Sequence, residues 1–252
     1  MFSEQVAQKR GKSLIELDNE LKKLSNEINA TYQEMFNHFK QIIDYEIEII
    51  SLNFIVLDYK GNYFTEIILS ICYKNIISLI SCIKLIEQGF LGSAKIIFRN
   101  VYESLVIGKM LGITNNSELY NKWKSGTQIS LKKDIFRKLV KTPSQESLEF
   151  WEFLNKYTHA TVHSQDFYLD IDDKEISNCN SIITTLLVMN YYLINQFLSR
   201  YYSHYLSLYF NPYFRELNNQ AKQKNKFCIS LIDIRCKRVI KEYQANWIIE
   251  DK

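Results

Sequence analysis

Residues that interrupt helices are scarce in this chain. Its 252 residues include only 7 glycines and 2 prolines, Pro143 and Pro212. Glycine weakens a helix through its conformational freedom and proline through its missing N–H, so their rarity favours long, uninterrupted helices. No segment shows the alternation of apolar and polar residues that is typical of a strand. The sequence therefore predicts an all-α fold, a helical bundle with a long N-terminal helix like that of a coiled coil.

The N-terminal helix carries a heptad pattern. Apolar or nearly apolar residues recur at alternating steps of three and four from Leu14 to Ile49, which is the spacing of a coiled-coil seam. Charged residues such as Glu16, Lys22 and Glu27 fall between them, as a solvated outer face requires. The seam predicts either an antiparallel hairpin within the chain or an interface with a second copy (a homodimer) or a partner protein.

Breaks in the apolar pattern divide the chain into regions. They lie at Asp58–Asn62 and at Asn211–Pro212. The expected regions are a long N-terminal helix over 1–60, a helical-bundle core over 61–211, and a basic C-terminal helical segment over 212–252. Inside them the pattern predicts helices over 64–88 and 90–113, one from Ser144 that carries two histidines, one over 175–210, and, after a polar stretch at 218–226, a last helix over 228–249.

Cysteine usage and the N-terminus predict a cytoplasmic protein. The five cysteines are odd in number and have no CxxC spacing, which favours reduced, buried thiols. The polar stretch from Met1 to Ser13 has no apolar signal-peptide core. The uncharged segment Ile182–Leu198 is short for a membrane span and contains Asn190, so we expect a buried core helix and no stable membrane insertion.

Two segments place ionisable groups inside apolar helical patterns, where an unpaired charge is costly. Arg99 and Glu103 are four residues apart, so they lie on one face of a helix and can pair. His159 and His163 have the same spacing further along the chain. If their helices pack together, the four side chains form one candidate catalytic site. The alternative is structural: a charged pair that fixes helix packing, and two hydrogen-bonded histidines.

The spacing of the histidines also bears on metal binding. Two histidines four apart on a helix can bind one metal ion, with Asp166 or Glu103 as a third ligand. The residues between them are Ala160, Thr161 and Val162, so the HExxH pattern is absent. We therefore expect no metal and no cofactor, and a histidine that acts as a general acid or base.

Charge is distributed unevenly in the middle of the chain. From 121 to 142 seven basic residues accompany one acidic residue, and from 144 to 175 eight acidic residues accompany two basic ones. The two surfaces can simply complement each other. The other interpretation is a basic face, with Lys132, Lys133 and Arg137, that binds a nucleic-acid backbone.

The candidate site resembles a family of uncharacterised bacterial helical proteins. In that family a Gly-small-Ala helix start leads into Arg-x-x-x-Glu, matched here by Gly92-Ser93-Ala94, Arg99 and Glu103. Further along comes an aromatic-x-x-Leu-Ser-x-x-x-His segment. The matching residues are Trp151, Leu154 and His159, with Asn155 at the serine position and Ala160 where a proline often follows.

The family is more distantly similar to the HEPN superfamily of helical bundles, many of which are toxins or defence ribonucleases that act as dimers without a metal. Their signature is an Arg with a His a few positions later. Arg99 supplies the opening, but the histidine is missing from positions 104–106.

The resemblance implies an RNA- or nucleotide-engaging protein, a ribonuclease-type defence or toxin effector. In such a protein Arg99 grips phosphate, Glu103 orients Arg99, and His159, assisted by His163, transfers the proton. The alternative is a non-catalytic interaction module or scaffold, which oligomerises or binds a partner protein through its N-terminal heptads.

Overall fold

Helices form all the regular structure in the residues that the computed structural model describes. These residues are 14–60, 63–114, 117–139, 144–156, 173–201 and 211–245. No strand occurs within these ranges, which confirms the all-α prediction. The helices are α1 (Leu14–Lys60), α2 (Tyr63–Glu87), α3 (Leu91–Thr114), α4 (Ser117–Lys124), α5 (Ser144–Asn155), α6 (Asp173–Tyr201), α7 (Pro212–Leu231) and α8 (Ile234–Gln244). A π-helical turn (Leu131–Ile135) and a 3-10 turn (Phe136–Lys138) lie between α4 and α5.

The C-terminal segment differs from its sequence prediction. The polar stretch at 218–226 lies inside α7, and the predicted last helix over 228–249 is divided at Ile232 and Asp233. α7 begins at Pro212, whose fixed φ suits the first helical turn, and the Asn211 side chain accepts a hydrogen bond from the Tyr213 N–H at 3.0 Å. The prediction was wrong because a surface helix needs apolar residues on only one side.

α1 and α2 form an antiparallel hairpin. Ser25 Oγ near the beginning of α1 donates to the carbonyl oxygen of Glu87 at 2.6 Å, and Asn29 Nδ2 donates to the same oxygen at 3.0 Å. The last carbonyls of a helix have no donors within it, so these bonds satisfy the end of α2. The hairpin is one of the outcomes that the heptad seam predicts.

The buried face of α1 is wider than the predicted seam. From Ile28 onward it also includes Phe36 and Phe39, while His38 of the seam is half-buried. The width follows from the number of neighbours, since α1 packs against α2, α6 and α7 rather than against one helix. Ile15, which lies between the seam positions Leu14 and Leu17, is 74% exposed.

α2, α3 and α6 meet at Gly108. A Cβ atom at this position would lie 3.0 Å from Leu193 Cδ2 and 3.5 Å from Ile71 Cγ2. A side chain here would require Leu193 to shift by a few tenths of an ångström, while its contact with Ile71 would be an ordinary one. All five cysteines are buried and none forms a disulfide, which confirms the prediction of reduced, buried thiols.

The segment Ile182–Leu198 belongs to α6. Ile183, Leu186 and Ile194 are completely buried, which confirms the prediction of a core helix. Among the described residues, the stretch with the length and composition of a membrane span is Glu66–Glu87, and 56% of its apolar window is buried in the bundle.

A buried polar network joins four helices. Asn190 Nδ2 of α6 donates to Glu46 Oε2 of α1 at 2.7 Å. Asn75 Nδ2 of α2 lies 3.5 Å from Asn190 Oδ1, and Ser104 Oγ of α3 donates to Asn75 Oδ1. Glu46 is fully buried, and its Oε1 atom has no hydrogen-bond partner among the residues that the structure describes. Burial raises the pKa of Glu46 to about 8, so its carboxyl group is neutral at pH 7.

We expect Glu46→Gln to raise the free energy of unfolding by an amount that grows with pH. In the unfolded chain the carboxyl group has its usual pKa of 4.5. Unfolding of the wild type therefore releases a proton between pH 4.5 and about 8, and its stability falls as pH rises through this window. Glutamine does not titrate, so the gain reaches about 3 kcal/mol at pH 7. Urea unfolding of both proteins across this pH range measures the gain. If their free energies of unfolding changed with pH in parallel, Glu46 would not be neutral in the folded protein.

Gly89 ends α2 in a left-handed conformation, with φ of +83°. Its N–H donates to the Ile86 carbonyl at 2.9 Å, and the Phe90 N–H donates to the Leu85 carbonyl at 2.7 Å. A Cβ atom at Gly89 would lie 2.9 Å from Leu24 Cδ2 in α1. The glycine is therefore required both by the helix end and by the close approach of α1.

Gly89→Ala should lower the free energy of unfolding by about 1–3 kcal/mol, through positive-φ strain and displacement of Leu24. Gly126→Ala is the matched control, because Gly126 also has a positive φ (+70°), but a Cβ atom there would meet nothing within 4 Å. Thermal or urea unfolding of both variants separates the two effects. Equal losses would show that Leu24 moves aside without cost.

Candidate functional site

Arg99 and Glu103 form the ion pair that their spacing predicts. Arg99 Nε donates to Glu103 Oε1 at 2.9 Å, and both residues lie on α3. Their side chains are 25% and 28% exposed. The pair thus lies at the edge of the core, where water reaches it and screens part of its attraction.

Trp151 binds the same carboxylate oxygen from another helix. Its indole Nε1 in α5 donates to Glu103 Oε1 at 2.8 Å, so this oxygen accepts two hydrogen bonds. α5 is held in place one turn earlier, where the buried Tyr102 hydroxyl donates to the Ser147 carbonyl at 2.8 Å. The carboxylate is therefore fixed from two directions, and through it Arg99 is oriented. In the sequence Trp151 stood out only as part of a family signature, without a role.

Lys95 extends this face of α3 by one turn. Its side chain is 1% exposed, and its ammonium group forms an ion pair with Glu175 in the first turn of α6. Lys95, Arg99 and Glu103 follow one another at steps of four, and we call them the α3 row. Sequence reasoning missed Lys95, although its spacing from Arg99 and its apolar surroundings were the available signal.

The environment of Lys95 is largely dry. Cys179, one turn after Glu175 in α6, is completely buried, and burial raises its pKa to about 12 even though the Lys95 charge acts in the opposite direction. Cys179 is therefore a neutral thiol and not a nucleophile at pH 7. The charge of Lys95 is balanced by Glu175, as a buried ammonium requires.

His159 and His163 lie outside the described residues, so their meeting with Arg99 stays a prediction. The described chain shows where their segment starts and ends. α5 packs against α3 and ends at Asn155, four residues before the first histidine. α6 begins at Asp173, and its Glu175 contacts Lys95. Both ends are therefore anchored beside the α3 row.

The basic residues predicted to bind nucleic acid are exposed beside α5. Lys132 and Lys133 belong to the π-helical turn and Arg137 to the 3-10 turn. Lys132 Nζ lies 3.7 Å from Glu152 Oε1 of α5. The structure shows no ion pair between Lys133 or Arg137 and an acidic group in the described part of the chain.

α8 contributes basic groups to the other side of α5. Arg238 Nη1 lies 3.2 Å from Glu146 Oε1, and the Arg235 guanidinium lies over the Phe153 ring, 5.2 Å from its centroid. The acidic residues of α5 are thus partly neutralised from two sides. Complementary charge between the two stretches, one of the two interpretations of the uneven charge distribution, is observed at Lys132–Glu152, whereas Arg238 comes from outside both stretches.

The α3 row combines an oriented guanidinium with carboxylate partners. A planar guanidinium in a fixed orientation is the kind of group that can bind a phosphate in a bidentate manner. In the ranges that the structure describes, no three histidine, cysteine, aspartate or glutamate side chains are grouped to hold a metal ion.

Comparisons of the chain with protein-family models, with curated proteins and with solved structures found no match. What the α3 row does is therefore inferred from its own side chains and their surroundings.

A double-mutant cycle of Trp151→Phe and Glu103→Ala should give a coupling energy of about 1 kcal/mol, because the indole donates to a carboxylate that is only partly exposed. The measurement is urea unfolding of the wild type, both single variants and the double variant. The control cycle is Arg238→Ala with Glu146→Ala, a more exposed pair whose coupling should stay below about 0.5 kcal/mol. Coupling no larger than in the control would contradict the fixed carboxylate.

Proposed function

We propose that the protein binds RNA or a nucleotide at the α3 row and acts as a ribonuclease-type effector. The observation that carries the proposal is the partly exposed guanidinium of Arg99, one turn from the buried cation of Lys95. It pairs with Glu103, and Trp151 fixes the same carboxylate oxygen. A carboxylate fixed by a second helix holds the orientation of Arg99, and bidentate binding of a phosphate depends on that orientation.

Connectivity supports a role for the two histidines in the same site. Their segment leaves α5 beside α3 and enters α6 at the turn that holds Lys95. An imidazole near a bound phosphodiester has a pKa suited to proton transfer at neutral pH. Of the two, His159 is the residue that fits the family signature, and we assign it the principal proton transfer.

The proposed reaction is transfer of the phosphodiester to the ribose 2′-hydroxyl. His159 accepts the 2′-hydroxyl proton, O2′ bonds to phosphorus, and the P–O5′ bond breaks. His163 donates a proton to the leaving O5′ atom. The products are a 2′,3′-cyclic phosphate and a 5′-hydroxyl end, with Arg99 balancing charge on the non-bridging oxygens.

The exposed basic residues supply contacts along the backbone. Lys133 and Arg137 are the better candidates, because Lys132 already lies against Glu152. Phosphate contacts of this kind release counterions, so the affinity for RNA should fall steeply as salt is raised.

Arg99→Ala and His159→Ala should separate binding from catalysis. We expect Arg99→Ala to weaken RNA binding and to slow cleavage, and His159→Ala to slow cleavage by at least about 100-fold while binding is retained. Anisotropy of a labelled single-stranded RNA measures binding, and gel analysis of its ends measures cleavage. His38→Gln is the matched control, since His38 lies on α1 against Phe227 with ring centroids 4.8 Å apart.

Folding of each variant is checked by thermal unfolding. Equal cleavage by the folded wild type, Arg99→Ala and His159→Ala would overturn the proposed reaction. Binding without cleavage in the wild type would leave an RNA- or nucleotide-binding protein and would remove the catalytic role of the histidines.

A second candidate function is that of an interaction module that oligomerises or binds a partner through α1. The observation in its favour is Ile15, an exposed aliphatic residue beside the first heptad positions Leu14 and Leu17. Ile15→Lys should then lower the molecular mass measured in solution, whereas an unchanged mass would count against this surface. RNA binding that survives the substitution would show that the two functions are separate.

A further inference from the structure

Two aliphatic side chains project into solvent at the corner between α7 and α8. Leu231 ends α7 and is 52% exposed, and Ile234 begins α8 and is 69% exposed. Ile232 between them is buried, and the Asp233 side chain accepts a hydrogen bond from the Cys236 N–H at 3.0 Å. The corner is therefore fixed to the core from below while its two aliphatic groups point outward.

Basic residues are frequent in the sequence on both sides of this corner. The stretch from 222 to 241 contains seven basic residues and one acidic residue, Asp233. The basic residues are Lys222, Lys224, Lys226, Arg235, Lys237, Arg238 and Lys241. On α8, Ile234 shares one exposed face with Lys237 and Lys241, because they are three and seven residues apart, while Val239 and Tyr243 on the opposite face are buried.

Acidic groups from neighbouring helices neutralise only part of this charge. Glu146 of α5 pairs with Arg238, and Glu34 of α1 lines the same surface groove as Lys224. For the remaining lysines, the described part of the chain shows no ion pair. They are Lys222, Lys226, Lys237 and Lys241. The α7–α8 corner, residues 222–241, is thus a positively charged surface with an aliphatic tip.

We propose that the α7–α8 corner docks reversibly on an anionic lipid membrane. Leu231 and Ile234 enter the region between headgroups and acyl chains, and Lys237 and Lys241 lie against the lipid phosphates. Each part fits this occupant, since aliphatic groups gain from leaving water and basic groups are attracted to the negative surface. RNA offers phosphates and base rings but no hydrocarbon, so it leaves the two exposed aliphatic groups unexplained.

Such docking is distinct from insertion of a helix. It depends on a few exposed aliphatic side chains and on attraction between lysines and anionic lipids. Each of these contacts contributes little free energy, so binding is reversible and sensitive to salt. It is also independent of the α3 row, because the corner shares no residue with it.

The test is co-sedimentation of the full-length protein with vesicles. Vesicles of phosphatidylcholine with phosphatidylglycerol should bind the wild type, and pure phosphatidylcholine vesicles should bind it at least tenfold more weakly. Raising the salt concentration should weaken binding. Lys237→Glu with Lys241→Glu should lower affinity by well over tenfold, since each basic residue near the surface contributes about fivefold. Leu231→Ser with Ile234→Ser should lower it by about tenfold or more.

Matched controls lie on α2, which exposes Ile77, Lys74 and Lys84. Ile77→Ser, and Lys74→Glu with Lys84→Glu, should leave vesicle binding unchanged. The proposal is overturned if the wild type does not bind anionic vesicles, or if the control variants lose as much affinity as the corner variants. It is also overturned if the corner variants lose RNA affinity and keep vesicle affinity, which would assign the surface to nucleic acid.

Discussion

Close packing of α3 against α2 and α6 is the constraint on which the candidate site depends. At Gly108 of α3 a Cβ atom would lie 3.0 Å from Leu193 Cδ2 of α6 and 3.5 Å from Ile71 Cγ2 of α2, so both helices contact this side of α3. These contacts limit the rotation of α3 about its axis. The α3 row, at steps of four from Lys95, is therefore turned toward α5 and α6, which supply Trp151 and Glu175.

The ionisable groups that face the core differ in burial and in how their charge is compensated. Glu46 is fully buried and remains neutral. The hydrogen bond from the Asn190 amide does not replace the hydration that a carboxylate would lose on burial. Lys95 is buried but keeps an anionic partner in Glu175. Arg99 stays partly in water, and Glu103 orients its guanidinium. This last arrangement suits a ligand site, because an incoming phosphate does not have to displace a deeply buried ion pair.

Charge outside the core is matched only in part. The acidic residues of α5 are met by Lys132 on one side and by Arg238 on the other, which joins the middle of the chain to its C-terminal helices. Among the described residues, basic charge that these pairs do not use includes two surfaces, one beside the π-helical turn and one at the α7–α8 corner. The first surface offers cationic groups and suits a nucleic-acid backbone, whereas the second also exposes aliphatic groups and suits a lipid surface.

The amino-acid sequence alone determined the helical fold and the Arg99–Glu103 pair, because helix propensity and the i, i+4 distance are local properties of the chain. It also indicated the hairpin of α1, though not the width of its buried face. Only the tertiary structure placed Trp151 on Glu103, paired Lys95 with Glu175, and put α7 where a polar stretch had suggested a break in the helix. These features join residues that are distant in sequence, and they depend on helix rotations and crossings that are set by packing of the core.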